Sequence, residues 1–498
     1  MSRADQWLIV GLFLAVAAVS PWFPGIKSSN EIGRVYLAEA LIVDGTVAID
    51  GPITRWHDIG DKAVRAGQTY CDKAPGVSWL AVPAVAAYRA LVDTPTLAGE
   101  VRAARLLGSL LPTAFLLWGV LGWLRSRVSA STARAVVIAY ALGSLSTTYG
   151  VLLFGHQLAA AAVFWAFLLA REARPDSSRR RLFGVGALAA IAVLAAYPAV
   201  LPLIPIGVLF LVRVRARPRA LAWATLGAVP LVGALMAYHT VAFGGPMTTG
   251  YAWLTNPFFT RMHRQGFMGL GVPKLGKVWF HFFSPRKGFF FFAPWLLLAV
   301  PGWWHLRGKE ARGAGGAVDG RMVASVSLVY VLFMLSLAYG NGGWTLSQRH
   351  LVGWTPWLTL PVAMWVDRGP NQRAVFGAAA LVALMLTGLG TAIFPYYPVP
   401  LHNPSFQLAW PLATAGFAAA SVYALLGIPT LLGSGLVGVS ATWAWLRPVG
   451  ARRAALAVLA AAGWLLLASR YASTQDTARV YSVVEAAYDR TEAQTLRP

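Results

Sequence analysis

Apolar stretches long enough to cross a lipid bilayer recur along the whole chain, and short arginine-rich links separate them in alternation. A spanning helix needs roughly 20 apolar residues, within a range of about 17–25. On that measure the candidate spans are 7–23, 100–124, 133–153, 155–170, 183–197, 198–213, 219–241, 288–305, 322–339, 350–366, 374–393, 430–446 and 455–469. The segment from Trp7 to Trp22 reads as an uncleaved first span. The pair 183–213 hinges at Tyr197-Pro198, because proline kinks a helix and frees a carbonyl. Lipid offers no partner to a backbone N–H or C=O, so spans close their hydrogen bonds internally. The expected fold is all-α: a polytopic membrane protein of about 13 transmembrane helices, with interfacial helices in its outer loops. Only 12% of residues are charged, about half the usual share of a soluble domain.

The net charge of +23 does not point to nucleic acid. The cations form no single stripe and fall in short clusters between apolar runs, as the positive-inside rule distributes them. The clusters are 125–134, 171–181, 213–219, 307–321, 368–373 and 447–453. They all fall on the cytoplasmic side if Val77–Val92, which is short and contains Pro83 and Arg89, lies in the interface as an amphipathic helix. The segment 408–426 is read as interfacial or re-entrant in the same way. The N-terminus is then cytoplasmic, the tail from Arg470 is outside, and the protein is a multi-pass inner (plasma) membrane protein. A region 1–400, with a first outer loop at 24–99, precedes a C-terminal membrane region at 401–498. The lone Cys71 excludes a disulfide framework, and no GxxxxGK[ST] sequence is present.

The outer loops carry the chemistry. In "SNEIGRVYLAEALIVDG", apolar positions recur at helical spacing from Ile32, Asn30 is placed to cap the helix, and Glu31 in its first turn suits the helix dipole. "GQTYCDKAPG" sets Tyr70, Asp72 and Lys73 ahead of the interfacial helix. "FFSPRKGFFFFAPW" sets Arg286 and Lys287 at an aromatic span, and "YGNGGWTLSQRHLVGW" sets Trp344, Arg349 and His350 at another. Cations on an outer face run against the positive-inside bias. Anionic headgroups account for them, since Arg offers phosphate a planar fork and Lys a point charge. A carboxylate to take a hydroxyl proton, cations to stabilise a departing phosphate, and aromatics for a sugar face or isoprenoid tail are the parts of a polyprenyl-phosphate-dependent sugar transfer.

Four stretches in order, over roughly residues 1–400, resemble the GT-C superfamily of integral-membrane glycosyltransferases. The resemblance is to the bacterial branch of protein-mannosyltransferase-like and aminoarabinose-transferase-like enzymes. "SNEIGRVYLAEALIVDG" resembles the acidic pair and helix of that branch. "GQTYCDKAP" resembles G-x-x-Y-x-[DE]-K-x-P, "SPRKGFFFFAP" resembles S-P-x-x-G-[LF]-F-F, and "SQRHLVGWTPWLTLP" resembles G-[PQ]-R-[YH]-L…P. The resemblance implies Glu31 as catalytic base and Lys73 and Arg349 as lipid-phosphate ligands. Arg286 and Trp344 are then expected to shape the donor pocket, with inversion at the sugar carbon. Many relatives carry Asp or Glu where this chain has Asn30, which leaves Asp58 and Asp61 of "WHDIGD" as the nearest sources of a second carboxylate.

The expected partners are a polyprenyl-phosphate-linked sugar, the bilayer and an acceptor of unknown class, with no nucleic acid. No metal or cofactor is expected: His57, His156, His263, His281, His350 and His402 map near the outer face without ligand spacing. A divalent metal held by scattered His and Asp is the minor alternative. A transporter or flippase of lipid-linked glycans is the rival of another class, but it would carry charges in mid-span, where this sequence has almost none. An inactive GT-C relative is the third reading. Reporter fusions at Ser129, Ser177 and Gly315 are expected to read as cytoplasmic, and those at Gly51, Gly250 and Ser473 as external. An external signal at Ser177 would show that Val77–Val92 spans.

Overall fold

The N-terminus and all six basic links meet on one face of the helical bundle. The computed structural model describes residues 1–26, 28–307, 316–470 and 484; the tail expected outside and the middle of the 307–321 link lie outside the described residues. On that face the fully buried Asp5 accepts from Arg134 Nε at 2.8 Å and Arg125 Nε at 3.3 Å. The fully buried Asp319 accepts from Arg171 Nε at 2.6 Å and Arg127 Nη2 at 2.8 Å. Arg213 donates to the carbonyl of Arg171 at 2.8 Å, Arg373 to Ser131 Oγ at 3.2 Å, and Arg453 to Asn371 Oδ1 at 2.8 Å. The alternation of basic links in the sequence is therefore a segregation in space.

The fold is all-α apart from one hairpin, and it is a multi-pass membrane fold. Among the described residues, five helices are individually long and apolar enough to cross a membrane: Leu97–Arg125, Pro218–Phe243, Gly316–Ser336, Pro370–Ile393 and Ala451–Ser469. The pair Leu145–Val151 and Gly155–Arg171, bent by 118°, makes a sixth if taken as one span. Other expected spans are shorter helices, such as Arg3–Ala18, Arg179–Ala195 and Thr430–Leu446. The expected span 288–305 is broken into Phe289–Phe292, Pro294–Leu298 and Ala299–Arg307, where Pro294 removes a donor. Gly76–Leu91 is a helix of 16 residues, buried along Val77, Ala81 and Val85. The C-terminal helices pack on Pro370–Ala383, and Trp445 Nε1 donates to the carbonyl of Ala135 at 3.1 Å.

Two features shape the far end of the bundle. Helix Arg179–Ala195 stops before Pro198, and the chain turns back as Val200–Arg213. Gly76 and Gly155 press against the end of that helix: a Cβ would lie 2.6 Å from the Leu194 carbonyl oxygen at Gly76, and 2.0 Å from that of Ala195 at Gly155. Glycine there permits helix ends to crowd together.

Asp319→Ala strands two partly buried arginines and should cost about 3–5 kcal/mol, the usual loss on breaking a buried pair. Thermal unfolding of the detergent-solubilised protein measures it. Asp5→Ala should cost less, because its arginines are 31% and 35% exposed and therefore better screened.

Candidate functional site

Helix Ser29–Glu39 begins the site. Asn30 does not cap it, contrary to expectation: the N-cap is Ser28, and its side chain makes no capping bond. The Asn30 side-chain oxygen and carbonyl instead both accept from Arg34 Nη1, one turn on. Both residues line a cavity of about 120 Å³ at the end of the bundle opposite the basic links.

The next wall is the hairpin. Strands Ala63–Arg65 and Gln68–Tyr70 pair antiparallel, with Ala63 opposite Tyr70. Ala66 and Gly67, both with positive φ, make the two-residue turn that suits a twisted hairpin. Carrying the register two residues further sets Asp61 opposite Asp72. Lys73 then reaches Asp72 Oδ2 at 2.7 Å and Asp61 Oδ2 at 3.3 Å. Burial alone would lower the pKa of the Lys73 ammonium, but the two carboxylates outweigh it and hold it above its ordinary value. Asp72 Oδ1 is buried with no hydrogen-bond partner.

Other segments at the same end of the bundle close the cavity. His156 comes from the start of Gly155–Arg171, Tyr197 from the hinge, Tyr251, Phe259 and His263 from the loop 242–287, and Tyr339, Arg349 and His350 from the turn before Thr355–Val366. The rings of His156 and His350 meet edge to face at 5.2 Å, and those of Tyr251 and His263 stack at 4.2 Å. Burial, with Lys73 adding to it, lowers the His263 pKa and favours the neutral ring. Arg34 is 5% exposed, and neither it nor Arg349 pairs with a carboxylate among the described residues. The Nε of each is buried without a partner.

Of the residues singled out from the sequence, the cavity gathers Asp72, Lys73, Arg349 and His350, together with Asp61. Six others lie elsewhere. Glu31 is fully buried. Its Oε1 accepts from Arg105 Nε at 2.9 Å and the Leu153 N–H at 2.7 Å; its Oε2 accepts from Arg105 Nη2 at 3.2 Å and the Tyr396 hydroxyl. Asp58 is exposed and paired with Lys62. Tyr70 packs on Phe243 and donates to Gln68. Arg286 donates to the Val399 carbonyl at 2.8 Å. Lys287 is buried against the carbonyls of Gly343 and Thr345, and burial lowers its pKa well below the ordinary lysine value. Trp344 is 40% exposed and does not line the cavity. The sequence reading missed Arg34, although its spacing of four from Asn30 places both on one helix face. It also missed Tyr251 and Tyr339, which no local pattern marks.

Glu31→Gln removes the charge that holds Arg105 in the interior. It should destabilise the protein by about 3–5 kcal/mol. If Glu31 were only a dipole-compensating residue, the loss would be about 0.3–1 kcal/mol. Thermal unfolding in detergent separates the two.

No family model matches the chain, and comparison with curated proteins gives no match. Among solved structures, the fold resembles that of ArnT from Cupriavidus metallidurans bound to undecaprenyl phosphate, with a TM-score of 0.51 and 14% identity over 93% of this chain and 78% of that one. The arabinosyltransferase EmbB from Mycobacterium smegmatis aligns with a TM-score of 0.44 and 14% identity, over 89% of this chain and 41% of that one. At 14% identity this likeness to ArnT is one of fold.

Proposed function

We propose that this chain is a membrane glycosyltransferase that moves a sugar from a polyprenyl-phosphate donor to an acceptor at the outer face. The carrying observation is the cavity: the buried Arg34 and the half-buried Arg349, neither paired with a carboxylate among the described residues, stand beside a Lys73–Asp61–Asp72 cluster at the end of the bundle opposite the basic links. Undecaprenyl phosphate bound to a protein of similar fold supports the same ligand class.

The cations divide by their surroundings. Two carboxylates already offset the charge of Lys73. Arg34 and Arg349 keep theirs unspent, so they are the anchors for a phosphate, and Lys73 adds a third contact as negative charge grows on the leaving group. In the transfer, the acceptor oxygen bonds to the anomeric carbon while the bond from that carbon to the phosphate oxygen breaks, its electron pair staying on the phosphate. A carboxylate takes the acceptor proton. Asp61 and Asp72 reach the cavity, whereas both oxygens of Glu31 are occupied away from it. We therefore assign proton removal to the Asp61–Asp72 pair and a supporting role to Glu31. A single displacement inverts the sugar carbon. Tyr197, Tyr251 and Tyr339 offer ring faces to the sugar.

Arg34→Ala and Arg349→Ala should each weaken binding of a polyprenyl-phosphate analogue by about 1.5–3 kcal/mol, the range for a hydrogen bond to a charged group. Unchanged affinity in both would remove the phosphate assignment. For proton removal, Asp61→Asn and Asp72→Asn are compared with Glu31→Gln at equal amounts of folded protein. One of the aspartate variants should lose about 10²–10⁴-fold in transfer rate, the usual contribution of a general base, while Glu31→Gln keeps donor affinity. Full transfer by both aspartate variants would return the role to Glu31.

A further inference from the structure

The loop 242–287 contains six Lys and Arg and no Asp or Glu. Three of those cations are tied to backbone carbonyls: Lys277 to Leu337 at 2.6 Å, Arg286 to Val399 and Lys287 to Gly343. The other three, Arg261, Arg264 and Lys274, are exposed and pair with no carboxylate among the described residues. Large apolar side chains stand among them. Phe267 is 77% exposed, Val272 79%, Leu275 78% and Trp279 65%. In water this mixture would be costly.

Its position is set by backbone bonds. Gly271 N–H donates to the Ser336 carbonyl at 2.9 Å, Lys274 N–H to Leu335 at 3.0 Å, and Ala338 N–H to Gly269 at 2.7 Å. Ser336 ends the helix Gly316–Ser336, one of the five long enough to cross a membrane. The segment 264–279 is thus fastened to the last turn of a helix long enough to span, at the end away from the basic links, which in a bilayer would lie where headgroups meet acyl chains. Trp is enriched at that depth, and basic side chains there are drawn to acidic lipid.

We propose that residues 264–279 form an interfacial segment inserted into the outer leaflet. Phe267, Val272, Leu275 and Trp279 enter the acyl boundary, and Arg261, Arg264 and Lys274 meet anionic headgroups. The inference stands apart from the transfer reaction. It bears on the cavity all the same, because Phe259 and His263, just ahead of the segment, form part of the cavity wall.

The test uses the full chain in nanodiscs, with an environment-sensitive fluorophore on Val272→Cys or Leu275→Cys. The native Cys71 is buried, and burial pushes its thiol pKa up to about 11, so it should resist labelling. Val64→Cys, on the hairpin, is the aqueous control. Lipids bearing a nitroxide near the headgroup should quench both segment labels several-fold more than the control, while aqueous iodide should do the reverse. The contrast should be stronger in discs containing phosphatidylglycerol than in discs of phosphatidylcholine alone, and Arg264→Glu with Lys274→Glu should abolish that difference. Iodide quenching of both segment labels equal to the control would overturn the insertion. Equal contrast in the two lipid compositions would overturn the headgroup contacts.

Discussion

The buried pair of Glu31 and Arg105 holds together the end of the bundle opposite the basic links. It joins the helix that carries Asn30 and Arg34 to the span Leu97–Arg125. Through the Leu153 N–H and the Tyr396 hydroxyl it also reaches the turn before His156 and the loop after Pro370–Ile393. Arg105 adds a bond to the Pro21 carbonyl at 3.1 Å, at the exit of the first helix. Taking two ions out of water is costly, and Coulomb attraction repays it only when the remaining donors and acceptors are also satisfied. Here both carboxylate oxygens are satisfied. Such an arrangement tolerates little displacement, so the cavity walls inherit its rigidity.

The opposite face follows a different rule. Asp5 gathers two arginines from the link 125–134, and Asp319 gathers one from that link and one from 171–181. These arginines are partly exposed, and with the two acids they fasten the helix ends on that face.

Within the cavity, charge is distributed unevenly for a physical reason. The hairpin register sets Asp61 across from Asp72, and Lys73 sits between two carboxylates that stabilise its ammonium. Arg34 and Arg349 are held in place by other means. Arg34 donates to the Asn30 side chain and carbonyl, and the Arg349 guanidinium lies 5.8 Å from the centroid of the Phe154 ring. A buried cation supported only by neutral groups is poised for an anion. The tyrosines and histidines around it add ring surface without adding negative charge.

The membrane class, the helical content and the gathering of the basic links on one face were legible in the sequence, because bilayer thickness and the positive-inside bias act on composition and spacing alone. Asp72, Lys73, Arg349 and His350, singled out in the sequence, do line one cavity. Tertiary structure decided the rest. It turned Glu31 toward Arg105, 74 positions away, and Asn30 toward the cavity on the same helix. It drew Arg286 and Lys287 onto backbone carbonyls, because loops buried at a helix mouth leave acceptors that need donors. It brought Arg34, Tyr251 and Tyr339 together from three distant segments. A sequence lists which charges are present and on which side of a membrane they fall. Which of them find partners, and which remain open to a ligand, is settled only when distant segments pack together.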